Sequence, residues 1–279
     1  MYRVPRFWGI HAEPTRRIRW FLGALPFIII VSIYSYASYQ RFLENPRDKL
    51  MPTPVKMVEA AKNLVHSLNL RTDEWEYPFL TDNAHTLTRV TVGVICAASV
   101  GLLLGMNMAI FAGMEAVLYP ITAFLSAIPT FTLLPILFVY VGVDEAAKVS
   151  LIFLATVFPI TRTVYLATKK VPQQSKVKIL TLGGSQLEVV YTVFLPQLKP
   201  VLLHAISVTL GVAWWSVIAA EAINARAGLG YRIFLLQRYT AMDGIIPLVL
   251  WITLVAYSKD LALRSYVTWW YPWYTYSKT

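Results

Sequence analysis

Six mainly apolar stretches run through the chain, separated by segments that carry most of its charged residues. The stretches cover residues 20–40, 90–114, 116–143, 148–169, 200–220 and 244–258. The hydrocarbon core of a bilayer is about 30 Å thick and an α-helix rises about 1.5 Å per residue, so about 20 apolar residues make one crossing. The last stretch is short and gives a sixth span only if Lys259 and Arg264 extend from its end to the membrane surface. The pattern predicts an all-α integral membrane protein with about six transmembrane helices.

Composition supports a membrane protein and excludes several other classes. Apolar residues make up 57% of the 279 residues and charged residues 14%, whereas a soluble domain has about 45–50% and about 25%. The net charge of +10 comes from basic residues that flank the apolar stretches, which is typical of membrane topology rather than of nucleic-acid binding. Cys96 is the only cysteine and the four histidines are scattered, so we expect no intrachain disulfide and no metal site.

The charge of the connecting segments predicts the orientation of the chain. Residues 1–19 hold five arginines against one glutamate, and the loop 170–199 is rich in lysine, so both should be cytoplasmic. Residues 223–244 carry three arginines against one aspartate and argue against this arrangement, but their excess of positive charge is smaller. A short helix is expected near residues 55–68, where apolar residues recur at helical spacing. The predicted divisions are a cytoplasmic tail (1–19), a first transmembrane helix (20–40), an external polar segment (41–83), a five-helix core (84–265) and an aromatic interfacial tail (266–279).

The sequence lacks the motifs of several catalytic classes. It contains no nucleotide-binding P-loop, no zinc-protease motif and no serine-hydrolase motif. A clustered acid–base or metal-ligand set, which an intramembrane enzyme needs, is also missing from the pattern. We therefore expect a transport subunit that binds no cofactor of its own and is driven from outside the chain.

Prolines interrupt the third apolar stretch. Pro129 and Pro135 each remove a backbone donor and are expected to kink the helix. Interrupted backbone is tolerated in a membrane where it is buried in protein or lines an aqueous cavity. Residues 126–135, with Ser126 and Thr130 as candidates, therefore either line a pathway or pack inside the bundle. In the second stretch, small residues four apart indicate close helix packing: Gly101, Gly105, Ala109 and Gly113.

Two charged residues stand within or beside apolar spans. Arg162 lies seven residues before Lys169, so its side chain either reaches the membrane surface or faces an internal cavity and attracts an anionic substrate. Glu221 follows the fifth apolar stretch. It either pairs with Arg226 or forms part of an outer gate.

The polar segment 173–200 carries an apolar pattern around Gly183 and Gly184. This pattern predicts a helix, a glycine turn and a second helix, closed by Pro196 and Pro200. Exposed apolar residues on a cytoplasmic loop usually form a surface for a partner protein.

The stretch from Leu180 to Pro196, with the sequence LTLGGSQLEVVYTVFLP, resembles the EAA loop of permease subunits of binding-protein-dependent ABC importers. The invariant glycine of that loop falls on Gly183, and its closing Leu-Pro falls on Leu195 and Pro196. Further elements are similar to the nitrate/sulfonate/taurine/bicarbonate branch of these importers. They are Thr86-Leu-Thr-Arg89, Ile128-Pro129, Leu134-Pro135, Val141-Gly142-Val143, Phe158-Pro159, Ala219-Ala220-Glu221 and Gly228-Leu-Gly230.

The resemblance implies the fold and partners of a type I importer permease in a bacterial inner membrane. The expected partners are a second permease subunit forming a homodimer, two cytoplasmic ATPase subunits that hold ATP and Mg, an external solute-binding protein and membrane lipid. The residues that would couple the chain to the ATPase are Lys178, Gly183, Gly184, Ser185, Leu195 and Pro196. The sequence has Val177-Lys178-Ile179 where the family has Glu-Ala-Ala, so the acidic contact is replaced and a dedicated ATPase is expected.

The resemblance also implies import of a small anionic solute, such as nitrate, bicarbonate, a sulfonate or taurine. Its path or gate would include Ser126, Thr130, Arg162 and Glu221. The alternative is a stand-alone channel or ion-coupled carrier in which residues 173–200 are a regulatory surface. Co-purification of a P-loop ATPase distinguishes the two.

Overall fold

The computed structural model describes residues 15–46, 48–65, 67–69, 74–76, 78–223 and 225–276, so most of the predicted cytoplasmic tail lies outside the described residues. Apart from one short antiparallel strand pair, β1 (Ser67–Asn69) and β2 (Glu74–Glu76), the regular structure described is helical. The helices are α1 (Arg16–Glu44), α2 (Pro54–Val65), α3 (Pro78–Ile110), α4 (Ala112–Ser126), α5 (Leu134–Tyr140), α6 (Glu145–Lys169), α7 (Gln173–Thr181), α8 (Gln186–Val189), α9 (Leu195–Ile223), α10 (Leu229–Arg238), α11 (Met242–Trp270) and α12 (Pro272–Tyr276). The prediction of an all-α membrane protein is confirmed.

Helices α3, α6 and α9 pack together and form the core. Because helices in lipid associate by close packing rather than by the hydrophobic effect, small residues belong at their contacts. A Cβ atom added at Gly105 of α3 would lie 2.5 Å from the backbone oxygen of Thr161 in α6, and one added at Gly101 would lie 2.8 Å from Ile160. Gly113, the last residue of the predicted stripe, instead belongs to α4 and meets open space. The packing role is therefore confirmed for the first two glycines and wrong for Gly113.

The third apolar stretch forms two helical segments, α4 and the segment Thr130–Tyr140, bent by 90° relative to each other. Pro129 lies at the break and precedes a 3-10 turn, Thr130–Leu133. Pro135 lies in the first turn of α5, where a missing N–H costs no helical hydrogen bond. The bend is thus attributable to Pro129, and the expectation of a kink at Pro135 is wrong.

Two ion pairs determine which helix ends lie on the same side. Arg89 of α3 binds Glu145, the first residue of α6. Lys169, the last residue of α6, binds Glu115 in the first turn of α4. Since α6 has 25 residues and spans about 37 Å, these pairs lie at opposite ends of the bundle. The chain between Glu115 and Glu145 must therefore cross from one end to the other, so α4 and α5 together act as one broken span.

Five described helices are long and apolar enough to cross a membrane, and the bent pair brings the number to six, as predicted. The sixth, α11, is longer than its apolar stretch and continues through Lys259 and Arg264. The Lys259 Nζ atom lies 3.3 Å from the Thr91 hydroxyl of α3, and Asp260 accepts a hydrogen bond from Ser207 and pairs with Arg264. Polar partners within the bundle, rather than extension of Lys259 to the membrane surface, accommodate these charges.

Helix α1 lies at the periphery, with most of its apolar side chains exposed. Its Tyr34 hydroxyl donates to the Pro52 oxygen at 2.9 Å, and its Ser38 hydroxyl donates to the Met51 oxygen. The neighbouring helix α2 packs against α11. An outward apolar surface of this kind is suited to lipid.

Candidate functional site

Local hydrogen bonds shape the glycine turn between α7 and α8. The Gly184 N–H donates to the Ile179 oxygen at 3.0 Å, and the Gly183 N–H donates to the Leu180 oxygen. These two bonds form a Schellman motif, which requires a left-handed residue after the helix. Gly183 occupies this position with φ +87°. The sequence pair Gly-Gly therefore ends α7 with a sharp reversal.

Ser185 begins the next helix through a capping box. Its hydroxyl accepts a hydrogen bond from the Glu188 N–H, and the Glu188 carboxylate accepts one from the Ser185 N–H at 2.7 Å. The only acidic side chain of the segment 170–199 is thus bound to the backbone of its own turn. Two free N–H groups of the helix start are satisfied in this way.

The side chains around the turn form an exposed apolar surface. Leu182 is 79% exposed and Leu187 is 68% exposed, and Val177 and Leu180 of α7 are also exposed. Lys178 is exposed in the last turn of α7. We call this set of residues (Val177, Lys178, Leu180, Leu182 and Leu187) the turn surface. Isolated exposed leucines need no explanation, but a contiguous group typically contacts a partner.

The helix after the turn does not end at Pro196 or Pro200, so the prediction that these prolines close the segment is wrong. Helix α8 continues through a π-helical turn, Val190–Phe194, into α9. Pro196 lies in the first turn of α9 and Pro200 lies inside it, buried. Phe194 is buried in the core, and Leu195 packs against the same cluster. The turn surface is consequently connected by continuous helix to the fifth span.

A cavity of about 190 Å³ lies between α4 and α6 and brings together two candidates for the substrate path. Arg162 and Ser126 both line it. Its other lining residues are Met108, Tyr119, Thr122, Ala123, Phe158 and Tyr165. Thr130 does not line this cavity; it lies in the 3-10 turn beyond the break.

A polar cluster lies beside the Arg162 cavity, toward the end of α6. The Tyr165 hydroxyl donates to one Glu115 oxygen at 2.5 Å, and Lys169 binds the other at 2.6 Å. Tyr165 belongs both to the cavity wall and to this cluster. The cluster ties the start of α4 to the end of α6.

Glu221 is fully buried and does not pair with Arg226, so that prediction is wrong. Its partner is Arg89, whose Nη1 atom lies 2.6 Å from the Glu221 Oε1 atom. The Thr86 hydroxyl donates to the same carboxylate at 2.8 Å. The Gly230 N–H donates to the Glu221 Oε2 atom. A buried carboxylate needs such partners because its transfer out of water is otherwise very costly.

The remaining donors of Arg89 extend the cluster to α6. Its Nε and Nη2 atoms bind both oxygens of Glu145, at 2.5 and 2.7 Å. Lys148 also binds Glu145, at 3.0 Å. Asp82 accepts bonds from the Gly228 N–H and from Arg232. We call these six charged residues (Asp82, Arg89, Glu145, Lys148, Glu221 and Arg232) the buried charge cluster, although the Glu145 side chain is 58% exposed and that of Arg232 is 23% exposed.

The loop 227–230 wraps around the Glu221 carboxylate. Gly228 has φ +137°, and a Cβ atom there would lie 2.5 Å from the Glu221 Cδ atom. The backbone can approach the carboxylate only because this position has no side chain. The sequence places Thr86, Arg89 and Gly228 in motifs that resemble the importer family, but it does not predict that these residues contact one another. The available signal for a buried ion pair is the charge of Arg89 immediately before a long apolar stretch.

Comparisons with known proteins agree with this architecture. Residues 97–271 match the family described as "Binding-protein-dependent transport system inner membrane component". The chain is 29% identical over 191 residues to the taurine transport system permease protein TauC of Escherichia coli (strain K12), covering 68% of this chain and 70% of TauC. It is 24% identical to the nitrate import permease protein NrtB of Leptolyngbya laminosa, covering 72% of each.

Among solved structures, the chain is similar to one of the MetNI methionine ABC transporter in an inward-facing conformation. The TM-score is 0.56 at 20% sequence identity, and the match covers 68% of this chain and 96% of the other. At this identity the similarity concerns the fold.

Proposed function

Because the chain belongs to the family of inner membrane components of binding-protein-dependent transport systems, we propose that it translocates a small anionic solute which an external binding protein delivers. It is a multi-pass membrane permease subunit of an ABC importer, and ATP hydrolysis belongs to separate subunits. The proposed assembly contains two copies of this chain and two cytoplasmic ATPase subunits that hold ATP and Mg. The observation that carries the proposal is the turn surface, which exposes apolar side chains on a segment continuous with the fifth span.

The turn surface is the proposed docking site of the ATPase. Lys178, Gly183, Gly184 and Ser185 shape it, while Leu195 and Pro196 begin the span that carries the movement inward. ATP binding would bring the two ATPase subunits together and pull the two turn surfaces toward each other. The glycine turn is on the side opposite the buried charge cluster, because Glu221 lies at the far end of α9. Movement of the turn would therefore tilt the spans about that cluster and alternate access to the substrate path.

The cavity with Arg162 is the proposed substrate path. Arg162 supplies a positive charge and Ser126 a hydroxyl, both suited to an anion. Thr130 and Glu221 are weaker candidates because neither lines this cavity. We propose that Glu221 stabilises the closed outer end of the bundle instead. The relatives are named for transport of taurine, nitrate and formylaminopyrimidine, so their names do not single out one solute for this chain.

The proposed orientation has the N-terminus in the cytoplasm and the turn surface facing the cell interior. A thiol introduced at Ser185 in a Cys96→Ser background tests it, since the native chain has one cysteine. Labelling by a membrane-impermeant reagent is expected in inverted vesicles and not in intact cells. Labelling in intact cells alone would reject the orientation.

Co-purification and reconstitution test the function itself. The tagged chain is expected to bring down a P-loop ATPase, and proteoliposomes with both should import a labelled anion only when ATP is supplied. Transport by the chain alone, driven by an ion gradient or by the solute gradient, would favour the ion-coupled carrier or the channel.

A further inference from the structure

A cavity of about 690 Å³ lies between the end of α6, the start of α9 and the C-terminal helix α12. Its volume is within the range of about 300–1,000 Å³ typical of small-molecule sites. It shares no lining residue with the cavity of Arg162. Its wall is mainly apolar, with Leu166 on α6, Val201 on α9 and Trp273 on α12, and it also contains Lys170 and Gln197.

Lys170 and Gln197 lie at one end of this cavity, and the other polar lining residues of α6 and α9, Thr163 and His204, lie at its inner end. Lys170 directly follows the end of α6, and Gln197 lies in the first turn of α9. Because α6 and α9 run in opposite directions, both residues lie at the end of the bundle that carries the turn surface. Leu166 and Val201 lie about one turn further inward on their helices. The cavity therefore has a cationic, hydrogen-bonding end at the membrane surface and a mainly apolar stretch about one turn further inward.

Aromatic side chains support this position at the membrane surface. Trp273 is 58% exposed and Trp269, at the end of α11, is 76% exposed. Tryptophan is enriched where the hydrocarbon core meets the head groups. Lys170 is also exposed, and a cation at this level attracts anionic head groups.

We propose that this cavity binds an anionic glycerophospholipid. The phosphate contacts the Lys170 ammonium and the Gln197 amide, and an acyl chain lies between Leu166 and Val201. The charge at one end and the mainly apolar stretch beside it match the head group and the acyl chain of such a lipid, whereas a free phosphate would leave the apolar stretch uncovered. Val171, which joins α6 to the turn surface, is part of the cavity wall and is buried. The lipid would thus contact the start of the segment that we propose docks the ATPase. Binding of the lipid does not depend on which solute is transported.

Native mass spectrometry of the full chain tests this proposal, with dioleoylphosphatidylglycerol and dioleoylphosphatidylcholine as probes. We expect tighter binding of the phosphatidylglycerol and an approximately tenfold rise of its Kd in Lys170→Gln, as for loss of one charged hydrogen bond. The matched control is Lys199→Gln, because Lys199 is an exposed lysine close in sequence to the start of α9 that does not line the cavity. Equal binding of the two lipids, or an equal effect of both substitutions, would overturn the proposal.

A second variant separates the apolar walls from the charge. Val201→Trp fills the cavity and is expected to weaken phosphatidylglycerol binding while leaving Lys170 in place. Unchanged binding in a folded Val201→Trp protein would place the lipid elsewhere.

The alternative to a lipid in this cavity is a second copy of the chain packed against it. In a Cys96→Ser background, Val201→Cys is expected to form no disulfide-linked dimer on oxidation in nanodiscs that contain phosphatidylglycerol. A disulfide-linked dimer through Val201→Cys would identify the cavity as a contact between copies and reject the lipid site.

Discussion

Arg89 and Glu221 are 132 positions apart in the chain, yet the Arg89 Nη1 atom lies 2.6 Å from the Glu221 carboxylate, and both side chains are almost completely buried. This pair joins α3 to α9, and the second carboxylate bound by Arg89 joins both to α6. The three core helices are therefore connected by one guanidinium. A buried pair of this kind adds little stability over apolar residues of equal size, but loss of one partner leaves an uncompensated charge.

Removing one member of the pair should destabilise the protein strongly. We expect Glu221→Ala to lower the free energy of unfolding by about 3–5 kcal/mol, because Arg89 then remains buried without one of its carboxylates. Unfolding in detergent, followed by circular dichroism, measures the change. The matched control is Arg226→Ala, which removes an exposed side chain and should stay within about 0.5 kcal/mol of the parent. A larger effect for Arg226→Ala than for Glu221→Ala would reject the pairing described above.

Gly228 should tolerate no side chain. Gly228→Ala adds a Cβ atom 2.5 Å from the Glu221 Cδ atom at a residue with φ +137°, so the loop must move away from the carboxylate. The backbone conformation, φ +137° and ψ +156°, is essentially restricted to glycine and alone costs about 1–3 kcal/mol for another residue, and the displaced hydrogen bonds add to it. Gly211→Ala is the control, since its Cβ atom meets open space in α9 and should stabilise the helix by about 0.5–1 kcal/mol. Thermal melting of the two variants in the same detergent compares them, and equal melting temperatures would contradict the prediction.

The turn surface should contribute to ATPase binding without contributing to stability. We expect Leu182→Ser to raise the Kd for the ATPase by about tenfold, as for loss of an apolar anchor at an interface. Unfolding should change by no more than about 0.5 kcal/mol because Leu182 is 79% exposed. Leu50→Ser, at another exposed leucine, should leave both quantities unchanged. Surface plasmon resonance with the immobilised permease measures the affinity, and the docking proposal fails if the two substitutions act alike.

Coupling should also depend on the left-handed residue of the turn. Gly183→Val is expected to reduce ATPase activity that depends on the solute and its binding protein, because φ +87° strongly disfavours a β-branched residue. The variant should still insert in the membrane, since an added Cβ atom there meets open space. Proteoliposomes with the complete transporter give the readout. Full coupled activity in Gly183→Val would show that the left-handed turn is not needed for coupling.

Arg162 should affect import rather than folding. We expect Arg162→Gln to lower kcat/KM for an anion by tenfold or more, the size of one charged hydrogen bond, while Arg162→Lys retains part of the activity. The alternative interpretation, in which Arg162 only reaches the membrane surface, predicts unchanged import in both variants. Uptake of labelled solute into proteoliposomes decides between them, with melting temperature as the check on folding.

The parts of this protein that the sequence predicts are those set by local spacing. The apolar stretches give the helices, and the order Gly183, Gly184, Ser185 and Glu188 contains both a helix end and a helix start within six residues. The partner of Glu221 could not be predicted in this way, because Arg226 is near in sequence and Arg89 is near only in the fold. Likewise, no spacing relates Ser126 to Arg162, which meet only after the chain turns back between α4 and α6.

The bend at Pro129 shows a second limit of sequence reasoning. Two prolines of the third stretch looked equivalent, although one lies at a break and the other lies in the first turn of a helix. A proline disrupts a helix only where its missing N–H would have found a carbonyl partner. That depends on where the helix begins, which the neighbouring helices decide.

The buried charge cluster contains three cationic and three anionic side chains, which cancel. The field of a set of charges with no net charge falls off faster with distance than the field of a single charge. The cluster therefore exerts no long-range pull on an approaching solute of either sign. Discrimination by charge therefore has to come from residues outside this cluster, such as the Arg162 that lines the cavity between α4 and α6.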